Sequence, residues 1–170
     1  MENAKILKKI IEARRSIFPK DYSGKEIPEN IIDEILKSAA FAPNHKRTKP
    51  WRLKTFKGEE KQKLGLELQS IYKNSTAEVQ FLQKKYDDIG FKISKANVVV
   101  SIVVHFSRLL PEWEEIAAVS MAVQNMYLTC TANNIGCYWS SAKIAEQLKD
   151  SLTIEDNQKC LGLFYMGMID

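Results

Sequence analysis

The sequence predicts an α+β fold in one domain, and three observations carry that expectation. Residues 98–106 form an apolar, β-branched run with the character of a buried strand. Residues 111–133 have the length and spacing of a long helix whose middle, from Ile116 to Val123, has almost no polar face. The other segments mix helical and strand spacing over 170 residues, with no internal repeat, low-complexity run or linker.

Taken in order, residues 4–15 read as a helix with Ile6, Leu7, Ile10 and Ile11 on one face. A turn-rich loop containing Pro19, Asp21, Ser23 and Gly24 follows. Pro28 suits the first turn of a second helix, in which Ile31, Ile32, Ile35, Leu36, Ala39 and Ala40 recur at helical spacing before Pro43. Residues 51–56 alternate apolar and polar, as a strand with one covered face does. Residues 59–95 are strongly charged and read as helix in two pieces broken near Lys73-Asn74-Ser75. Their expected inner residues are Leu64, Leu66, Leu68, Ile71, Val79, Phe81 and Leu82. After the buried strand and the long helix, Gly136 is placed to end that helix. Residues 138–140 and 161–168 add strand-like segments around a short helix at residues 144–148. A helix covered all round in so small a chain points to a subunit interface as well as a core.

Hydrophobic residues make up 45% and charged residues 27%, the balance of an ordinary globular chain, and the formal charge is +4. That modest surplus fits a small anionic ligand at least as well as nucleic acid, for which a more concentrated basic face is expected. No signal-peptide pattern is expected at Met1-Glu2-Asn3-Ala4-Lys5, and the longest apolar run is too short for a membrane span. Cys130, Cys137 and Cys160 are widely spaced, with no CxxC pair, so they read as small buried hydrophobes of a reduced, cytoplasmic protein, with no metal site.

Three segments could carry chemistry. Arg14-Arg15-Ser16 offers two guanidinium groups and a hydroxyl to a phosphate, although an arginine pair at a helix end is also an ordinary solvated feature. Residues 39–51, Ala-Ala-Phe-Ala-Pro-Asn-His-Lys-Arg-Thr-Lys-Pro-Trp, place Phe41, His45 and three cations in a loop between a helix and a strand. That loop reads either as a solvated basic turn or as a cover for an anionic, electron-rich group. In residues 133–141, Trp139 reads as core or as part of a site, and Ser140 and Ser141 can donate hydrogen bonds to a ring system.

Read together and in order, these segments resemble the nitroreductase family. The resemblance rests on an amino-terminal Arg-Arg-Ser, an Ala-Pro-x-His-Lys…Pro-Trp loop after the second helix, and Gly-x-x-Trp-x-Ser after a long helix. It extends to the ending Leu163-Phe164-Tyr165-Met166-Gly167, and runs from about Ile10 to Gly167, closest in character to the smallest single-domain NAD(P)H nitroreductases. The resemblance implies a mainly antiparallel central sheet flanked by helices, with the long buried helix at the interface of a homodimer. It implies FMN at that interface, NADH or NADPH as donor, and a nitroaromatic, quinone or similar small acceptor. Hydride would pass by way of flavin N5 in ping-pong turnover, with no catalytic protein residue, no metal, no membrane and no nucleic acid. Carried over by position, Arg14, Arg15 and Ser16 would meet the FMN phosphate and ribityl chain, Phe41 and His45 the FMN of the partner subunit, and Trp139, Ser140 and Ser141 the ring.

The sequence departs from the family pattern at Phe41, where close relatives often carry a basic residue, and at Lys49, where many carry Gln. Lys49 or Lys46 is placed to tune the flavin. The sequence also stops at Asp170, so contacts that other members make with a longer tail are not expected. His105, in the buried strand, reads as structural. The alternatives are a flavin enzyme of the same fold with other chemistry, such as an oxidase or reductive dehalogenase, and a non-catalytic module binding an anionic ligand or RNA.

Overall fold

The structure, a computed structural model, describes residues 2–170. Its elements are α1 (Glu2–Ala13), α2 (Glu29–Ser38), β1 (Trp51–Phe56), α3 (Gly58–Ser75), α4 (Gln83–Lys95), β2 (Val98–His105), α5 (Glu112–Ala132), β3 (Ile135–Ser140) and β4 (Gln158–Met168). Short 3-10 turns punctuate them. The strands form one sheet in the order β1-β2-β4-β3, antiparallel at every pairing. Among the described residues no helix is long and apolar enough to cross a membrane.

The sheet is covered on both faces, which explains why β2 is apolar on both apart from Ser101. Val98, Val100, Ile102 and Val104 face the core shared with α2 and α5. Val99 and Val103 face the second core, built with Leu64, Leu68 and Ile93 from α3 and α4. Two prolines set the helices of the first layer. The Pro28 carbonyl accepts from the amides of Ile31 and Ile32, and α5 starts directly after Pro111. Glu112, Glu114 and Glu115 occupy the first turn of α5, where the positive end of the helix dipole favours carboxylates.

Several expectations are corrected. Helix α1 ends at Ala13, so Arg14, Arg15 and Ser16 lie beyond it, and none of its residues is buried by the rest of the chain. In α3, Leu64, Leu68 and Tyr72 line one face at four-residue spacing; Leu66 is turned half a revolution away and is exposed, as are Val79 and Leu82 in the connection to α4. Gly136 does not end α5. Asn134, with φ of 54°, takes the left-handed step, and Gly136 is already inside β3. The expected long helix and its two neighbouring strands stand, with β3 beginning three residues earlier than its side-chain pattern implied.

Between Ile102 and Val103 the register against β4 shifts, so Leu161 is an extra residue in a bulge. Gly162 beside it has φ of 128°, and a Cβ there would stand 2.1 Å from the Ser140 carbonyl oxygen. Gly162→Ala should therefore cost on the order of 3 kcal/mol in urea unfolding, from backbone strain and a clash with main chain that cannot rotate away.

Across the second core, Glu67 of α3 fastens the loop before β4. Its carboxylate accepts the amides of Lys149, Asp150 and Ser151 at 2.7, 2.9 and 2.8 Å. Partial burial by itself would raise its pKa, but the hydrogen bonds from the Ser151 side chain and the three amides outweigh it and hold the group below the ordinary carboxylate range. A depressed native pKa gives stability that is present above the unfolded value, about 4.3, and is lost as pH falls through the native one. Glu67→Gln should lose about 1–2 kcal/mol at neutral pH and flatten the acid limb of a stability-versus-pH curve.

Candidate functional site

The amino-terminal segment reaches the sheet through Tyr22. Its ring lies across Gly136 and Gly167, which face each other in the β3–β4 ladder. A Cβ on Gly167 would come within 2.3 Å of the ring, and one on Gly136 within 2.9 Å. The Tyr22 hydroxyl contacts the carbonyls of Ile17 and Tyr165 at 3.0 and 3.2 Å. Burial, reinforced by Cys137, Cys130, Tyr127 and Tyr138, pushes its pKa far up, so it stays a donor. The Ile17 amide donates to the Cys137 carbonyl and the Ser23 amide to the Met168 carbonyl. Residues 17–23 are thereby stitched to the ends of β3 and β4, and Arg14, Arg15 and Ser16 are held beside the end of α5.

There they meet Tyr127, on the buried side of α5. The Tyr127 hydroxyl accepts the Trp139 amide at 2.7 Å and lies 3.4 Å from Ser16 Oγ. The Arg14 guanidinium sits over the Tyr127 ring, 5.4 Å from its centre, and the ring meets Phe164 edge-on at 5.0 Å. Arg15 is turned back onto the carbonyls of Glu12 and Arg14. Among the described residues neither arginine has a carboxylate within ion-pair distance. Two cations and a hydroxyl without an acidic neighbour form a donor set suited to a phosphate.

The loop after α2 lies elsewhere. His45 Nδ1 is 2.8 Å from Glu114 Oε2, at the first turn of α5, and Lys46 Nζ reaches the Leu109 carbonyl at 3.4 Å. Asn44 braces the loop by accepting the Lys49 amide and donating to the Ala42 carbonyl. Lys46, Arg47 and Lys49 have φ of 50°, 55° and 46°. Each such conformation costs a residue with a Cβ on the order of 1 kcal/mol, a pattern found where a loop is held for function. Glu114 and Tyr127 are separated by about 20 Å along the helix axis, at 1.5 Å per residue. One chain therefore cannot bring its own His45 and Arg14 to the same phosphate. Phe41 projects from the turn after α2 with 82% of its surface exposed.

The residues of β3 divide by strand alternation. Trp139 packs against the core beneath α5, with its indole N–H buried and without an acceptor. Ser140, on the other face, borders a cavity of about 120 Å³ under α4, and Ser141 is exposed at the strand's end. The structure thus joins Arg14, Ser16 and the Trp139 main chain, while Phe41 and His45 stand apart. Expectations from sequence omit Glu114 and Tyr127. The first was one of three first-turn carboxylates; the second showed only as a hydroxyl on an apolar helix face. They also omit Glu115, buried in α5, whose Oε2 accepts the Ser107 amide at 2.9 Å and whose Oε1 has no partner. All three cysteines are buried, and burial pushes the Cys130 and Cys160 thiols up, which disfavours a thiolate nucleophile. His105 is half-buried, with Asn157 beside Nε2 at 3.4 Å.

Comparison with known proteins agrees with this architecture. The chain is 26% identical over 170 residues to the Bacillus subtilis (strain 168) protein named "Putative NAD(P)H nitroreductase YfhC", covering 97% of this chain and 85% of that one. The nitroreductase-like family protein of Bacillus cereus superposes with a TM-score of 0.79 at 23% identity, covering 96% of this chain and 86% of that chain. The FMN-dependent nitroreductase NfnB of Mycobacterium smegmatis, solved in complex with NADPH, also superposes with a TM-score of 0.79, at 17% identity and with 98% and 89% covered. Residues 11–168 match the Nitroreductase family, and the chain belongs to it.

Proposed function

We propose that this protein is an FMN-dependent oxidoreductase that takes reducing equivalents from NADH or NADPH and passes them to a small acceptor, such as a nitroaromatic or quinone. The observation that carries this reading is the junction of Arg14, Ser16 and the Trp139 amide through Tyr127, on a surface where the arginines have no acidic partner among the described residues. Family membership supports it, as do the nitroreductase names of the relatives.

In this reading Arg14 and Arg15 hold the phosphate through charge-assisted bonds and Ser16 donates to it. The end of β3 offers Ser140 and Ser141 to the ring. When bound, FMN supplies the hydride-accepting and electron-donating chemistry, and the chain orients it and sets its electrostatics. Lys46 and Lys49, fixed by the strained loop, are the cations available to stabilise negative charge on a reduced ring. No nucleophile or general base is required, which fits the buried thiols.

The site is completed by a second copy of the chain. Helix α5 leaves a stripe of Trp113, Ala117, Met121 and Leu128 incompletely covered, Trp113 and Met121 being 68% and 40% exposed. Ile6, Leu7 and Ile11 of α1 are half-exposed as well. A monomer rarely leaves a contiguous apolar face of this kind uncovered. Pairing such faces would let Phe41 and His45 of one chain serve the site headed by Arg14 of the other.

Purified protein should show a flavin absorption spectrum, directly or after addition of FMN, and initial rates against NAD(P)H and acceptor should give parallel reciprocal lines. A protein that stays colourless with FMN present overturns the proposal. Arg14→Ala and Arg15→Ala should each weaken FMN affinity on the order of tenfold in fluorescence titration while the protein stays dimeric. Met121→Asp should shift the dimer towards monomer in sedimentation velocity, by placing a charge in the apolar stripe.

A further inference from the structure

We propose that Tyr127 is a positioning residue that directs the Ser16 hydroxyl at the flavin phosphate, an inference that rests on the FMN reading above. The hydrogen bonds can run in a single direction through all three groups. The Trp139 amide can only donate, so at 2.7 Å the Tyr127 oxygen is its acceptor. The Tyr127 proton is then free for Ser16 Oγ, 3.4 Å away. With Ser16 accepting from Tyr127, its own proton is left available on the solvent side, because Ser16 is exposed. The chain of donors runs from the Trp139 amide through Tyr127 to Ser16 and ends on an outward hydroxyl. Such a chain is polarised in one sense, which strengthens its last donor towards an anion.

The Tyr127 ring acts in the same sense. Its face carries the Arg14 guanidinium, which limits where that long side chain can swing, and the ring is held T-shaped against the buried Phe164. The hydroxyl therefore aims the serine while the ring parks the arginine. Both are held by a side chain that sits on α5 and that a ligand need not touch.

Tyr127→Phe keeps the ring and removes only the hydroxyl. Affinities for FMN and for riboflavin, which lacks the phosphate, would be measured by flavin fluorescence in wild type, Tyr127→Phe, Ser16→Ala and the double variant. The expected result is an FMN affinity about fivefold lower in Tyr127→Phe with riboflavin affinity little changed, and no further loss of the FMN preference when Ser16 is already alanine. Ser16 is exposed, so its variant keeps the test open if Tyr127→Phe folds poorly. Equal weakening of both flavins by Tyr127→Phe would mark a merely structural role and overturn the proposal, as would an unchanged FMN affinity or additive effects in the double variant. Wild-type protein that binds neither flavin overturns the FMN reading itself, and this inference with it.

Discussion

The packing of Tyr22 across Gly136 and Gly167 is the contact on which the candidate site depends. An aromatic ring can lie against a β-ladder at this distance only where two facing positions lack a Cβ. The ring then closes over the ends of β3 and β4, and its hydroxyl, kept protonated by burial, reaches the Ile17 and Tyr165 carbonyls. Those contacts, with the Ile17 amide on the Cys137 carbonyl, turn an otherwise free connection into a fixed one. Arg14, Arg15 and Ser16 lie just before this fixed segment. Their position relative to α5 follows from it together with α1, to which the Arg14 amide is bonded at Ile10.

Helix α5 organises the rest. Its buried side closes the first core over β2 and β4, its incompletely covered stripe offers an apolar face to another subunit, and its two ends meet different loops. Glu114 receives His45 near the amino end; Tyr127 receives Arg14, Ser16 and the Trp139 amide near the other. A single helix that packs the core and carries both groups of contacts makes the geometry of the site inseparable from the stability of the fold. A substitution on its buried side is therefore felt at both ends, whereas one on the exposed stripe acts on association.

Polar groups inside this frame are few, and the ones present have specific work. Ser101 sits in the buried strand β2 with its hydroxyl near the Lys54 carbonyl, and Glu67 gathers three amides of the loop before β4. Glu115 takes one amide and keeps a second oxygen without a partner, a costly arrangement within a helix otherwise buried through apolar contacts. The cationic loop is the opposite case. Lys46, Arg47 and Lys49 are exposed but held in left-handed conformations, so their positions are set by the backbone and not by ion pairs.

Much of this was legible from the sequence by itself. The run dominated by β-branched residues determined β2, because a strand covered on both faces is apolar at nearly every position. Pro28 marked where α2 starts, because a proline's fixed φ and missing N–H suit the start of a helix, where the first amides have no intrahelical acceptor. The order of Arg-Arg-Ser, Pro-Trp and Gly-x-x-Trp-x-Ser identified the family, later matched over residues 11–168. Only the tertiary structure decided the rest, since it depends on contacts between residues far apart in the chain. Spacing could not show that Val79 faces outward, that Gly136 yields to a tyrosine ring instead of ending a helix, or that no residue of α1 is fully buried within the chain. Nor could it show Tyr127 between Ser16 and Trp139, 111 residues from the first of these, since hydrogen bonds of that range exist only after the sheet and α5 have packed.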